Sequence, residues 1–261
     1  MIAVIGLGNI GLAIAGRLAE RGQEVCGVEV SPERRADWKA LTGLDAVADL
    51  TDVPWAQVTH VFVIVRLTGQ AEQVLSRLDE LPVPAGTGVI LNTTLELRFA
   101  RGLERYADRA WRLIELPVSG GESGARAGTL TVLAAGKVTD TDRELLLATM
   151  AATVVDFDRY GEPTLAKLLN NLSAAYTALS YAEVMLLAKQ SGMDTRRLAD
   201  ILRTSSGGSW MGDHFAVITD DVLAKDVELV RDQLGEPPLV SLAPDTDLVA
   251  RLSQARALLV D

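Results

Sequence analysis

Ile2-Ala3-Val4-Ile5-Gly6-Leu7-Gly8-Asn9-Ile10-Gly11 is an apolar strand that breaks into a G-x-G-x-x-G turn and leads into a helical pattern over residues 12–21. In such a turn the first glycine permits the tight bend and the second lets the backbone approach a pyrophosphate. The third allows helix and strand to pack closely. Unpaired N–H groups at the helix N-terminus then hold the anion. A second strand over residues 24–30 carries Glu29 near its end, 18 residues beyond Gly11, where a carboxylate receives the adenosine ribose hydroxyls. The expected dinucleotide contacts are therefore Gly6, Leu7, Gly8, Asn9, Ile10, Gly11 and Glu29. Glu29 favours NAD, because a carboxylate there repels a 2′-phosphate. Arg34 and Arg35 keep NADP open if their loop folds back; otherwise they form a solvated first helical turn.

Outward from this turn, apolar runs at residues 60–65, 88–92, 112–116, 129–134 and 153–158 read as further strands. Helical periodicity falls at 32–41, 70–78, 97–106 and 140–150. Strand–helix alternation predicts an α/β fold, a Rossmann-type doubly wound and largely parallel sheet. From residue 162 onward the pattern is helical alone. A run of about 28 residues (163–190) ends at Gly192, and shorter helices are expected at 195–204, 221–234 and 246–259. The predicted domains are a nucleotide-binding domain over 1–161 and an all-helical substrate and dimerisation domain over 162–261. A helix as long as the first of these suits a homodimer or higher oligomer.

Of the 261 residues, 48% are hydrophobic and 5% aromatic, so the core is built mainly from Val, Leu, Ile and Ala. Lys and Arg total 25 against 35 Asp and Glu, a net charge of −10, which argues against nucleic acid as a partner. Cys26 is the only cysteine, so neither an intrachain disulfide nor a cysteine-rich metal site is available. No apolar run reaches membrane-spanning length, and the N-terminus lacks the pattern of a signal peptide. The expectation is a soluble, cytoplasmic chain without a metal centre. His60 and His214 read as surface or structural histidines.

Four later segments bear on chemistry. Leu116-Pro117-Val118-Ser119-Gly120-Gly121-Glu122-Ser123-Gly124 presents a hydroxyl and open backbone N–H groups after a strand, a turn able to form an anion-binding concavity. Lys167-Leu168-Leu169-Asn170-Asn171 places an ammonium and an amide at i and i+4 on one helix face. Two adjacent asparagines are poor helix formers, which within an apolar stripe suggests a polar site. Asn92-Thr93-Thr94 and Lys225-Asp226-Val227 complete the set. Together, and in their order along the chain, the segments resemble the β-hydroxyacid dehydrogenase family, which includes 3-hydroxyisobutyrate and tartronate semialdehyde enzymes and is related to 6-phosphogluconate dehydrogenase. The resemblance implies NAD or NADP as cofactor, and Lys167 as general acid/base supported by Asn171. It implies a substrate carboxylate held by Ser119, Gly120 and Gly121, and Thr94 between substrate and nicotinamide. It also brings Lys225 toward the site and implies a small hydroxy acid or semialdehyde as substrate.

The chain departs from the family pattern in three places. Val65-Arg66-Leu67-Thr68 stands where members commonly have a proline-containing run. Val65 and Arg66 lie at the expected nucleotide crevice, where Arg66 could meet a phosphate, a second substrate acid group or a surface carboxylate. Glu122 replaces a small or apolar residue. Only 15 residues separate Trp210 from Lys225, about half the span typical of the family, so part of the covering segment is missing. Two alternatives remain. An imine reductase on the same fold would generally have replaced Lys167, and a nucleotide-binding sensor would bind cofactor without turnover.

Overall fold

The computed structural model describes residues 1–217, 220–243 and 246–258. Its elements, in chain order, are β1 (Ile2–Ile5), α1 (Asn9–Glu20), β2 (Val25–Val28), α2 (Pro32–Thr42), β3 (His60–Val63), α3 (Thr68–Leu78), β4 (Gly88–Leu91), α4 (Leu97–Arg101), β5 (Arg112–Glu115), β6 (Val118–Ser119), α5 (Gly121–Ala127), β7 (Leu130–Gly136), α6 (Asp140–Thr149), β8 (Ala151–Asp156), α7 (Glu162–Gln190), α8 (Thr195–Arg203), α9 (Trp210–Asp213), α10 (Asp220–Leu234) and α11 (Leu248–Ala257).

Two compact units divide the chain, Met1–Asn170 and Asn171–Asp261. In the first, the strand order is β2-β1-β3-β4-β5-β7-β6, with β8 on the other side of β7. The first five strands in this order are parallel; β7 runs antiparallel to β5 and β6 and parallel to β8. The parallel strands are apolar because both faces of the sheet are covered. Ile2, Val4, Phe62, Ile90 and Ile114 turn one way, onto Ile14 and Leu18 of α1, Trp38 of α2, Ala125 of α5 and Leu146 of α6. Ala3, Ile5, Val61, Val63, Val89, Leu91 and Leu113 turn the other way, onto Ala71, Leu75 and Leu78 of α3 and onto Phe99 and Ala100 of α4. This alternation is the period-two geometry of a strand, and it produces the Rossmann-type doubly wound sheet.

The second unit is helical in its described residues. Asp194 caps α8 by accepting from the N–H groups of Arg196 and Arg197, and Ser209 caps α9 through Gly212. The rings of Tyr181 and Phe215 pack 4.9 Å apart. No helix among the described residues is long and apolar enough to cross a membrane.

The structure differs from the sequence reading in detail. The expected helix 97–106 is α4 followed by a separate 3-10 turn, Leu103–Tyr106, broken at Gly102. The turn expected after Ser119 runs directly into a helix, α5. Gly121 and Gly124 within it, with Gly120 and Gly128 at its caps, depress helix propensity, but buried Ala125 anchors it to the core. The last strand begins at Ala151 rather than residue 153, and α1 begins at Asn9 rather than residue 12. Residues 244–245 lie outside the described part, and Leu259, the expected end of the last helix, does too.

Candidate active site

β1 pairs with β2 on one side and β3 on the other, so the chain reverses its winding at β1. Ligands of doubly wound sheets bind at such a switch point, beyond the C-terminal strand ends. The glycine turn sits there. Gly6 has φ +95°, and a Cβ on it would collide with the carbonyl oxygen of Ile64, just past β3. A Cβ on Gly11 would collide with the carbonyl oxygen of Gly6. Gly8 is different: nothing lies within 4 Å of the place its Cβ would take, and its φ of −64° suits any residue. No side chain caps α1, so its first-turn N–H groups are available to an anion. An open cradle over Gly8 and an uncapped helix N-terminus fit a dinucleotide pyrophosphate. Gly8→Val is accordingly expected to fold with an unchanged Tm while raising the Kd for the cofactor at least tenfold, about 1.4 kcal/mol. An unaltered Kd by fluorescence titration would refute this placement.

Glu29 lies beside this turn with both oxygens engaged: Oε2 accepts from the Leu7 N–H at 2.8 Å and Oε1 from the Ser31 N–H at 2.9 Å. Arg34 donates to Asn9 Oδ1 at 3.1 Å, and Arg35 donates to the carbonyls of Glu29 and Val30 at 2.7 and 2.9 Å.

Farther along the same sheet edge, Thr93 Oγ1 accepts from the Val65 N–H at 3.0 Å and donates to the Val65 carbonyl at 2.9 Å. Thr93 thus fastens the Val65 loop, while its neighbour Thr94 is half-buried. Gln70 Oε1 accepts from the N–H groups of Arg66 and Leu67, holding Arg66 exposed on the rim. Asn92 donates to the Leu116 carbonyl at 3.1 Å, tying the end of β4 to the start of the Ser119 segment.

Ser119 ends β6, and Gly120 and Gly121 follow with φ of +123° and +64°, values open to glycine but not to most side chains. Asn170 Nδ2 donates to Ser119 Oγ at 3.2 Å, bringing the segment onto the first part of α7. Lys167, half-buried, stands on the same part of that helix. Glu115, at the end of β5, is fully buried and accepts from the N–H of Gly161 at 2.6 Å. It also accepts from the N–H and hydroxyl of Thr164 at 2.9 and 2.5 Å. Burial pushes the Glu115 carboxyl up from its ordinary value, against the opposing pull of these hydrogen bonds.

In the second unit, buried Asn171 donates to Asp226 Oδ2 at 2.9 Å. Lys225 is half-buried on α10 beside it in sequence. His214, for which the sequence suggested no partner, stacks on Trp210 with ring centroids 4.0 Å apart. Glu122 pairs with Arg126 at 2.7 Å on α5, an i,i+4 surface pair. Among the described residues, no three His, Cys, Asp or Glu side chains gather to hold a metal ion.

Residues 1–158 match the model of the NAD binding domain of 6-phosphogluconate dehydrogenase, and residues 161–236 match that of the NAD-binding region of NADP-dependent 3-hydroxyisobutyrate dehydrogenase. The chain belongs to the β-hydroxyacid dehydrogenase family. Among its relatives in this family is an L-threonate dehydrogenase of Pectobacterium atrosepticum, 29% identical over 252 residues, which cover 88% of this chain and 81% of that one. The solved 3-hydroxyisobutyrate dehydrogenase of Salmonella typhimurium superposes with a TM-score of 0.77 at 25% identity, covering 98% of this chain and 94% of that one. Psf3, solved with NADP+ and 2-OPP, gives a TM-score of 0.78 at 26% identity, covering 99% and 95%. As a β-hydroxyacid dehydrogenase the chain is an oxidoreductase with a nicotinamide dinucleotide, NAD(P), as cofactor.

Sequence reasoning passed over Glu115, Thr164 and the contact of Asp226 with Asn171. Asp226 was within a recognised motif, next to the residue singled out. Glu115 had no signal beyond a charge ending an otherwise apolar strand.

Proposed function

We propose that this β-hydroxyacid dehydrogenase interconverts a small 3-hydroxy acid and its aldehyde or ketone in the cytoplasm. Residues 1–161 act as the nucleotide domain and residues 162–261 as the helical substrate domain. The observation that carries the reading is the Asn170–Ser119 hydrogen bond, which brings the proposed carboxylate-binding turn to the helix that bears Lys167. A bound nicotinamide dinucleotide would supply the hydride acceptor for oxidation and the hydride donor for reduction. Lys167 takes the hydroxyl proton in oxidation and gives it back in reduction. Asn171, a turn farther along the helix and held by Asp226, steadies Lys167 or the substrate. Ser119, Gly120 and Gly121 hold the carboxylate, and Thr94 fixes the substrate beside the nicotinamide. Lys225 adds positive charge for an acidic substrate, and Val65 and Arg66 border the cofactor. Such alignment converts binding energy into rate.

Purified protein mixed with NAD+ or NADP+ and a panel of 3-hydroxy acids should give a rise in absorbance at 340 nm. Tight cofactor binding with no turnover on any of them would favour a sensor instead. NAD is the form this reading prefers, because a carboxylate at Glu29 would accept from a ribose 2′-OH and repel a 2′-phosphate. The kcat/KM with NAD+ is expected to exceed that with NADP+ at least tenfold, about 1.4 kcal/mol; a reversed ratio would show that Arg34 and Arg35 decide the choice.

A homodimer formed through the helical unit completes the proposal. Leu179, Leu186 and Leu187 of α7, spaced to share one helix face, are more than half exposed, apolar surface that suits an interface. Light scattering behind size exclusion should return twice the chain mass.

A further inference from the structure

We infer that Glu115 is a positioning residue for Lys167, an inference that rests on the function proposed above. A buried carboxylate is costly unless its oxygens are well supplied with donors. Glu115 has three, and all belong to the start of one helix: the Gly161 N–H, the Thr164 N–H and the Thr164 hydroxyl. Thr164 is itself fully buried. The carboxylate therefore caps α7 from a neighbouring strand, where its negative charge also complements the helix N-terminus. Glu115 is the last residue of β5, and Ser119 lies four residues farther on. Lys167 lies three residues beyond Thr164, and Asn170 three beyond that. With Asn170 donating to Ser119 Oγ, the two segments close into a ring. Glu115–Thr164 pins one end and Ser119–Asn170 the other, with Lys167 on one side. Glu115 sets the rotation and height of the helix relative to the Ser119 turn, and thereby the reach of Lys167 to a substrate held there.

The test compares Glu115→Ala, Glu115→Gln and Thr164→Val with wild type. Each is assayed for kcat, KM, cofactor Kd, Tm and backbone hydrogen exchange over residues 161–167. Glu115→Ala should lower kcat about 100-fold, the scale of a misplacement near 1 Å, with cofactor Kd changed less than twofold. Glu115→Gln turns an N–H2 toward a donor and should lose about tenfold. Thr164→Val keeps shape and removes only the hydroxyl donor, so it folds even if the alanine variant does not, and should lose several-fold in kcat. Exchange over 161–167 should quicken in both Glu115 variants. Normal kcat per folded molecule with a lowered Tm would overturn the inference, leaving a structural cap only. Unchanged exchange together with unchanged kcat would overturn it also. Lys167→Ala separates the two readings. If that variant retains turnover, the proposed reaction fails on its own account. If it is inactive while the Glu115 and Thr164 variants turn over normally, the positioning role alone fails.

Discussion

Lys167→Ala is expected to lower kcat by about 10³- to 10⁴-fold while leaving the Kd for NAD(P) within twofold of wild type. General acid/base catalysis contributes on this scale, and the proposed cofactor cradle consists of other residues: Gly8, the uncapped start of α1 and Glu29. An arginine at 167 should rescue little, since a guanidinium keeps its proton and cannot accept another. Loss confined to kcat at constant cofactor Kd would mark a group acting on the reacting atoms. A variant that keeps a tenth or more of wild-type turnover would remove Lys167 from the mechanism.

Asp142→Ala should cost about 3–5 kcal/mol of stability, the range for breaking a buried ion pair by removing one partner, and lower Tm by roughly 10 °C. Asp142 is fully buried at the start of α6. Its carboxylate meets Arg112 at 2.6 and 3.0 Å, His60 Nε2 at 3.0 Å, and the N–H and hydroxyl of Thr139 at 2.7 Å. Removing it strands all of these groups together and also breaks the capping box of α6. Burial disfavours the charge, but the bonds from His60, Arg112 and Thr139 outweigh it and hold the carboxyl well below the usual aspartate range. Because the folded pKa is the lower one, the contribution is complete above the unfolded value of about 3.9 and is lost progressively as pH falls through and below it. Thermal unfolding at pH 7 and at pH 3 should therefore show a wide gap between wild type and variant at the higher pH and a narrower one at the lower. A gap that stays constant would disprove the electrostatic account.

The sheet was legible because its strands are short, apolar and spaced by helical periods, so Ile2–Ile5, His60–Val63 and Gly88–Leu91 could be placed almost to the residue. Helix α5 was not, since its glycines hide a helix whose stability comes from packing. The glycine turn and the Lys167–Asn171 pair were legible because their spacing is local. Glu115 with Thr164 is 49 residues apart in sequence, and His60 with Asp142 is 82. No local pattern reports a partner at that distance, and only the sheet order brings them together. Thr93 shows a subtler limit: its pairing with Thr94 was visible, but not that Thr93 spends its hydroxyl on the backbone of Val65.

The bond from Leu7 to Glu29 bears on how this enzyme could change its coenzyme. The carboxylate proposed to discriminate between ribose and phosphate also ties the glycine turn to the end of β2. An exchange of Glu29 aimed at admitting NADP would therefore slacken the turn that receives either coenzyme. A lineage, or an engineer, altering the preference would have to supply a new acceptor for the Leu7 N–H in the same step. On the proposed preference for NAD, coenzyme choice would be guarded by architecture as well as by charge, and single substitutions at this position would be poor routes across it.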